Sequence, residues 1–222
     1  MKLHSNTRRV LFEELKQECY GLKMISQDSI PNMIDIGANV GMLSIMARLL
    51  HPHMNIFAFE PHEETFKDLK ENVDNLRIKT YRYAFGNGDV FYLTKERKMD
   101  LCNSFSTEKN IINKTQEIQS LDLEQIFKMV SVEPEDTFLK IDCEGAETFM
   151  VDCPKSIELL KRTKLVAMEA HEKDAVIKLK PFIEWFMKTM WGTHTVIIDK
   201  QTSVVAKLLA VEKSYYRSQL SI

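Results

Sequence analysis

Several familiar signals are missing from this 222-residue chain. Its cysteines are few, and Cys19, Cys102, Cys143 and Cys153 form no C-x-x-C pair. That argues against a disulfide frame or a zinc ribbon and suits free thiols in a reducing compartment. No uninterrupted apolar run is long enough to span a membrane. Arg8 and Arg9 are followed by Glu13 and Glu14, where a signal peptide needs an apolar stretch. The expectation is a soluble, cytoplasmic protein. An excess of positive charge is also missing. The formal net charge is -2, so no broad basic surface asks for nucleic acid. The phosphate-binding pattern G-x-x-x-x-G-K-S/T does not occur, which excludes the common NTPase loop. There is no internal repeat, low-complexity tract or domain boundary.

What remains is ordinary globular composition, 44% hydrophobic and 28% charged, at a length that suits one α/β domain. Residues 1–222 read as a single domain, with an N-terminal helical extension over 1–30 and a core over 32–210. Within the extension, Thr7 to Leu22 carries apolar and acidic residues at helical spacing, with Gly21 near its end.

The informative stretch is Met33-Ile34-Asp35-Ile36-Gly37-Ala38-Asn39-Val40-Gly41. A buried strand ends at Ile36, Gly37 and Gly41 bracket a tight turn, and Met42 to Leu50 continues as a helix. Glycine lets the backbone turn sharply and lets a ligand approach without a Cβ in the way. The helix start favours negative charge, such as a ligand carboxylate. A second apolar run, Ile56-Phe57-Ala58-Phe59, ends in Glu60. An acid there accepts hydrogen bonds from both hydroxyls of a ribose. Together these features point to a nucleoside-containing cofactor. The bland alternative is a structural strand–turn–helix corner with an exposed Glu.

Further along, Pro61 can start a helix whose apolar face is Phe66, Leu69, Val73 and Leu76. Ile78 to Tyr83 is a third strand, Ala84 to Gly88 a turn, and Val90 to Leu93 a short hairpin arm. Alternating strands and helices predict a parallel sheet with right-handed crossovers. The irregular, Asn- and Ser-rich stretch from Lys95 to Gln119 is either a solvated loop or a substrate-facing flap. Leu121 to Val130 resumes as a helix.

Thr137 to Asp142 is the fourth strand, and Asp142-Cys143-Glu144-Gly145-Ala146-Glu147 crowds three carboxylates at its end. Glu147 alternatively opens the next helix, where an acid suits the dipole. Lys164 to Met168 is the fifth strand, followed by Glu169-Ala170-His171. Asp174 to Met190 is helical, interrupted or restarted at Pro181. Thr193 to Ile198 and Ser203 to Leu209 form a closing pair, and Glu212 to Ile222 reads as a polar tail. In open α/β sheets ligands sit beyond the carboxyl ends of the strands. That places Gly37, Glu60, Asp142, Glu169 and His171 on one edge.

At this point Asp35 to Gly41, Phe57-Ala58-Phe59-Glu60-Pro61, Ser120-Leu121-Asp122 and Leu139 to Glu147 resemble the FkbM family of S-adenosylmethionine-dependent methyltransferases, with Glu169-Ala170-His171 fitting the end of its fifth strand. The resemblance covers about Asn32 to His171. It implies a Rossmann-like class I methyltransferase fold: a seven-stranded, mostly parallel sheet with helices on both faces and an antiparallel last strand. It implies O-methylation of a hydroxyl on a sugar or other small molecule. By that resemblance, Asp35, Gly37, Ala38, Asn39 and Gly41 serve the methionine end of S-adenosyl-L-methionine, Glu60 holds its ribose, Ala84 and Phe85 lie near its adenine, and Asp142 sits by the transferable methyl group.

The catalytic candidates are Asp142, Glu169 and His171. Methyl transfer to a hydroxyl needs the acceptor proton removed and the oxygen held in line with the departing sulfur. His171 is the natural base by intrinsic pKa. Asp142 can orient the acceptor or the cofactor amine, and Glu169 can orient the imidazole. A metal hydrolase is a further alternative that could use Asp142, Glu144, Glu169 and His171, hard ligands for Mg or Mn, and a divalent metal stays open for the methyltransferase as well. The expected partner is a small-molecule or glycan acceptor, with no nucleic acid and no membrane, and a homodimer as an open option. A nicotinamide-dependent oxidoreductase competes, but Asn39 fills the middle glycine of its G-x-G-x-x-G fingerprint. No Asp/Asn-Pro-Pro-aromatic motif follows the fourth strand, which weighs against base-nitrogen methylation. A scaffold that binds the cofactor without catalysis is the non-enzyme alternative, although none of the motifs is degraded.

Overall fold

The architecture is that of a computed structural model describing residues 19–26, 29–94, 105–106, 115–172, 178–201 and 205–220. Short apolar runs become strands β1 (Asn32–Ile36), β2 (Asn55–Phe59) and β3 (Ile78–Tyr81), separated by helices α1 (Met42–Leu50) and α2 (Glu63–Asn72). The chain then builds β4 (Ala84–Phe85), β5 (Val90–Thr94), β6 (Phe105–Ser106) and β7 (Thr115–Leu121) before α3 (Leu123–Val130) and β8 (Thr137–Ile141). Helix α4 (Pro154–Arg162), β9 (Leu165–His171), α5 (Leu179–Met190), β10 (His194–Gln201), β11 (Val205–Glu212) and α6 (Lys213–Leu220) complete it.

Seven strands form the main sheet in the order β10-β11-β9-β8-β1-β2-β3. Strands β3, β2, β1, β8 and β9 pair in parallel, and β11 runs antiparallel to both β9 and β10. The expected seven-stranded Rossmann-like sheet with an antiparallel last strand is therefore present. Helices cover both faces because the central strands are apolar on both sides. Ile34, Ile36, Phe57, Phe59, Leu139 and Ile141 share a core with residues of α3, α4 and α5. Met33, Ile56 and Phe138 point the other way, into a core shared with Ala47 of α1 and Tyr215 of α6.

The order of strands reverses at β1, which has β2 on one side and β8 on the other. Such a switch point leaves a crevice beyond the strand ends. Ile36 pairs with both Phe59 and Ile141, so the next residues, Gly37, Glu60 and Asp142, stand at one level.

Several boundaries differ from the sequence reading. The third strand stops at Tyr81, and the chain resumes as β4 in a second, four-stranded sheet ordered β4-β7-β5-β6. The hairpin arm at Val90 is real, and its partner β7 claims Thr115 to Gln119, the end of the irregular stretch. Most of the rest of that stretch lies outside the described residues. Leu121 closes β7, and α3 starts at Leu123 under a capping box in which Asp122 accepts from Gln125 N at 2.8 Å and Gln125 Oε1 accepts from Asp122 N at 2.9 Å. Helix α2 starts at Glu63, two residues after Pro61.

Helix α5 starts at Leu179, two residues before Pro181. The proline sits in the first turn of α5, where its missing N–H is not needed. The proposed starts of that helix at Asp174 and of the N-terminal helix at Thr7 lie outside the described residues. Over Cys19–Met24 the chain is a 3-10 segment with left-handed Tyr20 (φ 76°) and Gly21 (φ 70°). Glu212 to Ile222 is not a polar tail: Glu212 ends β11, α6 follows, and Tyr215 is buried with its hydroxyl 3.1 Å from Ser26 N. Among the described residues no helix is long and apolar enough to cross a membrane.

Candidate active site

The crevice at the switch point is a cleft whose lining includes Gly37, Asn39, Glu60, Tyr83, Ala84, Phe85, Asp142, Cys143 and Glu144. It encloses about 680 Å³, counting space open to solvent. Three carboxylates, Glu60, Asp142 and Glu144, line it, and no lysine or arginine does among the described residues.

Glu60 is 6% exposed and spans the turn. Its Oε2 accepts from Asn39 N at 3.0 Å and its Oε1 from His62 N at 2.9 Å. Burial pushes its pKa up to about 7, against the two amides, which favour the charged form. Asn39 is left-handed, with φ 51°. Gly37 has φ 73°, and a Cβ there would lie 1.7 Å from the carbonyl oxygen of Asp142. Its glycine requirement is therefore met by the protein's own backbone. Gly41 (φ 90°) serves packing: a Cβ would meet Leu69 Cδ1 at 2.6 Å and Val73 at 3.1 Å.

Not every candidate from the first motif reaches the cleft. Gly37 and Asn39 line it, while Ala38 packs against Ala58, Leu69 and Val73, and Gly41 caps α1 behind the turn. Asp35 is fully buried beneath the turn. Its Oδ2 accepts from Ser44 Oγ at 2.7 Å, and its Oδ1 lies 3.3 Å from Lys140 Nζ. Ala84 and Phe85, on β4, form part of the cleft wall.

Lys140 was not singled out from sequence, although a lysine inside Phe138-Leu139-Lys140-Ile141 was its signal. It is 4% exposed and ties the strand ends together. Nζ donates to Gly37 O at 2.8 Å and pairs with Asp35 and, at 3.6 Å, with Asp142 Oδ2. Burial works against its charge, but Asp35, Asp142 and Glu169 more than compensate and raise its pKa.

Glu169 and His171 are residues of β9 itself rather than of a following loop, and being two apart they share a face. His171 Nε2 stands 3.8 Å from Asp142 Oδ1, 3.7 Å from Glu144 Oε2 and 3.8 Å from Glu169 Oε2. The three catalytic candidates thus meet beside the cleft. Glu147, fully buried, accepts from His171 N at 2.6 Å and lies 3.2 Å from His171 Nδ1. Burial disfavours the imidazolium, but the Glu147 hydrogen bond and the charges of Glu147, Asp142 and Glu144 outweigh it and push His171 up to about 9. The surrounding carboxylates thus favour the protonated imidazole, which runs against the expectation of a ready base near neutrality.

Burial raises Asp142, with Lys140 opposing. Burial also acts to raise Glu169, but Lys207, whose Nζ is 2.6 Å away, and Tyr20, whose hydroxyl donates at 2.5 Å, hold it below the usual carboxylate range. Tyr20 and Lys207 were not recognised from sequence, because nothing local links the chain's beginning and its last strand to residue 169.

A mostly parallel sheet with this strand order, an acid after β2 and carboxylates after β8 is the Rossmann-like class I methyltransferase fold. A model of the Methyltransferase FkbM domain matches residues 35–183, and the chain belongs to that family. Methyltransferase 1 of Beauveria bassiana (strain ARSEF 2860) is 24% identical over 152 residues, which cover 59% of this chain and 60% of that protein. The match thus spans less than two thirds of the relative's length. Among solved structures, a methyltransferase FkbM from Methylobacillus flagellatus KT superposes with TM-score 0.56 at 13% identity, covering 87% of this chain and 47% of that one. A precorrin-6y C5,15-methyltransferase from Geobacter metallireducens GS-15 gives TM-score 0.50 at 16% identity, covering 95% and 91%. Class I methyltransferases in general use S-adenosylmethionine.

Proposed function

We propose that the cleft binds S-adenosyl-L-methionine and that the enzyme methylates a hydroxyl of a sugar or other small molecule. One observation carries the cofactor assignment: the cleft is lined by three carboxylates and no lysine or arginine among the described residues. Such a lining repels the pyrophosphate of a nicotinamide dinucleotide and attracts a sulfonium and an ammonium. The residues fit this cofactor. Glu60 presents a carboxylate to ribose hydroxyls, Gly37 and Asn39 follow β1 where the methionine end would lie, and Ala84 and Phe85 offer an apolar wall for adenine. Bound there, the cofactor supplies an electrophilic methyl group on sulfur.

The remaining chemistry belongs to the chain. Asp142 stands between the cleft and the β9 groups, and we assign it to orienting the acceptor. Glu169, held by Lys207 and Tyr20, is a fixed anion that stabilises positive charge at the acceptor end. The carboxylates around His171 form an acidic pocket that can take up the proton leaving the hydroxyl. The partner is a small-molecule or glycan acceptor. The family and the oxygen-rich, acid-lined pocket support this reading over a nicotinamide oxidoreductase or a cofactor-binding scaffold.

Calorimetry with S-adenosylhomocysteine and with NAD tests the cofactor. Saturable binding of the first without the second is expected, and the reverse would overturn it. Incubation with methyl-labelled cofactor and a panel of hydroxylated glycosides tests the acceptor. Label in an ether methyl is expected, and label only on nitrogen or carbon acceptors would overturn the hydroxyl assignment.

A further inference from the structure

We propose that Asp142, Glu144 and His171 form a divalent-cation site at the acceptor end of the cleft, and that the ion holds and polarises the acceptor hydroxyl. The second half rests on the hydroxyl-methylation reading above, whereas the first half stands without it.

The geometry is that of ligands around one centre. One donor atom from each of the three residues lies within 4.8 Å of the others. His171 Nε2 is 3.8 Å from Asp142 Oδ1 and 3.7 Å from Glu144 Oε2. These separations are too long for hydrogen bonds. They are close to the donor–donor spacing around an ion with bonds of about 2.0–2.2 Å, which runs from about 3.0 to 3.6 Å.

The imidazole is already set in the orientation a ligand needs. Its Nδ1 is engaged by Glu147, which accepts in addition from Gly145 N at 2.9 Å and from His171 N at 2.6 Å. A buried carboxylate on one ring nitrogen fixes the tautomer and turns the other outward, which is the arrangement that supports metal-bound histidines. Here the outward nitrogen is Nε2, and what it faces is Asp142, Glu144 and Glu169.

Charge gives an independent reason. Asp142, Glu144, Glu147 and Glu169 gather around one imidazole. Lys140 meets Asp35 and Asp142 Oδ2, and Lys207 meets Glu169. Among the described residues no lysine or arginine pairs with Glu144, and Asp142 Oδ1 faces the histidine. Clustered, partly buried carboxylates without matching cations are costly, and a divalent ion relieves the excess where it is greatest. Two carboxylates with one imidazole suit Mn2+ or a neighbouring first-row ion better than a thiolate-seeking metal. Such an ion would bind a hydroxyl oxygen and lower its pKa, which leaves the bond-making described above unchanged.

The test uses the full chain, treated with EDTA and dialysed. Mn2+ alone is titrated by calorimetry and by electron paramagnetic resonance, with and without S-adenosylhomocysteine and with no acceptor present. One saturable site per chain is expected. Glu144→Gln and His171→Gln should each weaken it about tenfold or more. His171→Gln, which leaves the cleft lining intact, should keep its affinity for S-adenosylhomocysteine and so report a folded protein. Absence of saturable Mn2+ binding in protein that binds S-adenosylhomocysteine overturns the site, as does binding that survives the double variant. Mn2+ binding without S-adenosylhomocysteine binding upholds the site and overturns the cofactor reading. Full methyl transfer in excess EDTA overturns the ion's role at the hydroxyl.

Discussion

Gly37 and Asp142 touch backbone to backbone: a Cβ on Gly37 would lie 1.7 Å from the Asp142 carbonyl oxygen. The turn after β1 and the carboxylates after β8 are thus one unit. Lys140 bolts them together from below, with Nζ 2.8 Å from Gly37 O and 3.6 Å from Asp142 Oδ2.

Gly37→Ala should damage both halves of the site at once. The substitution places a Cβ at positive φ and against a backbone oxygen that no rotamer change can move. We expect a loss of about 3 kcal/mol in chemical denaturation, together with loss of S-adenosylhomocysteine binding. A variant of native stability would mean the two strand ends separate more easily than the packing indicates.

Lys140→Met keeps the apolar stem and removes the ammonium from between two carboxylates. Asp35, fully buried, is then left with Ser44 alone. Removing one partner of a buried pair costs about 3–5 kcal/mol, and urea unfolding at neutral pH should show it. The loss should shrink in the double variant Lys140→Met, Asp35→Asn. Equal losses in single and double variants would contradict the pairing.

Glu60→Ala should weaken S-adenosylhomocysteine binding by about 1–3 kcal/mol, measured by calorimetry. The wild type should in addition bind more weakly as pH falls below about 7, where Glu60 takes up a proton. For stability the sign is opposite: an acid whose folded pKa is raised favours the ligand-free fold at low pH, and that advantage fades as pH rises from about 4.5 to 7. A pH-independent affinity would place the ribose elsewhere.

His171 gives a window at higher pH. Its folded pKa of about 9 exceeds the ordinary imidazole value of 6.5, so its stabilising contribution is complete below 6.5 and disappears as pH rises through 9. In EDTA, the wild type should lose about 2–3 kcal/mol across that window relative to His171→Gln. Parallel stability curves for the two proteins would show that Glu147, Asp142 and Glu144 do not hold the proton.

The central sheet was legible because its strands are short runs dominated by apolar residues, and those are hard to confuse once glycines and acids punctuate them. Glu60 and Asp142 were legible for the same reason: each is the acid that closes such a run. Gly41 and Ala38 were placed on the cofactor because a glycine-rich turn reads alike whether the close neighbour is a ligand or a helix. Here the neighbours are Leu69 and Val73. The second sheet escaped notice because β7 has the polar, alternating sequence Thr115-Gln116-Glu117-Ile118-Gln119-Ser120, which a solvated loop also shows. Tyr20 and Lys207 depend on contacts across the whole chain. Tyr20 is 149 residues from Glu169 in sequence, and no local pattern carries that separation. Helix α6 was missed because polar residues dominate Lys213–Leu220, although Tyr215 is buried and Tyr216 packs against the core.

Strand β11 enters the sheet between β9 and β10, although it is made after both. On the ribosome β10 therefore emerges with no strand to pair with, and β9 keeps an open edge. Until residue 207 appears, Glu169 lacks its ammonium partner. The insertion of β11 thus completes both the sheet and the acidic cluster. A nascent chain stopped short of β11 exposes a hydrogen-bonding edge, which makes it a substrate for chaperones rather than an early enzyme.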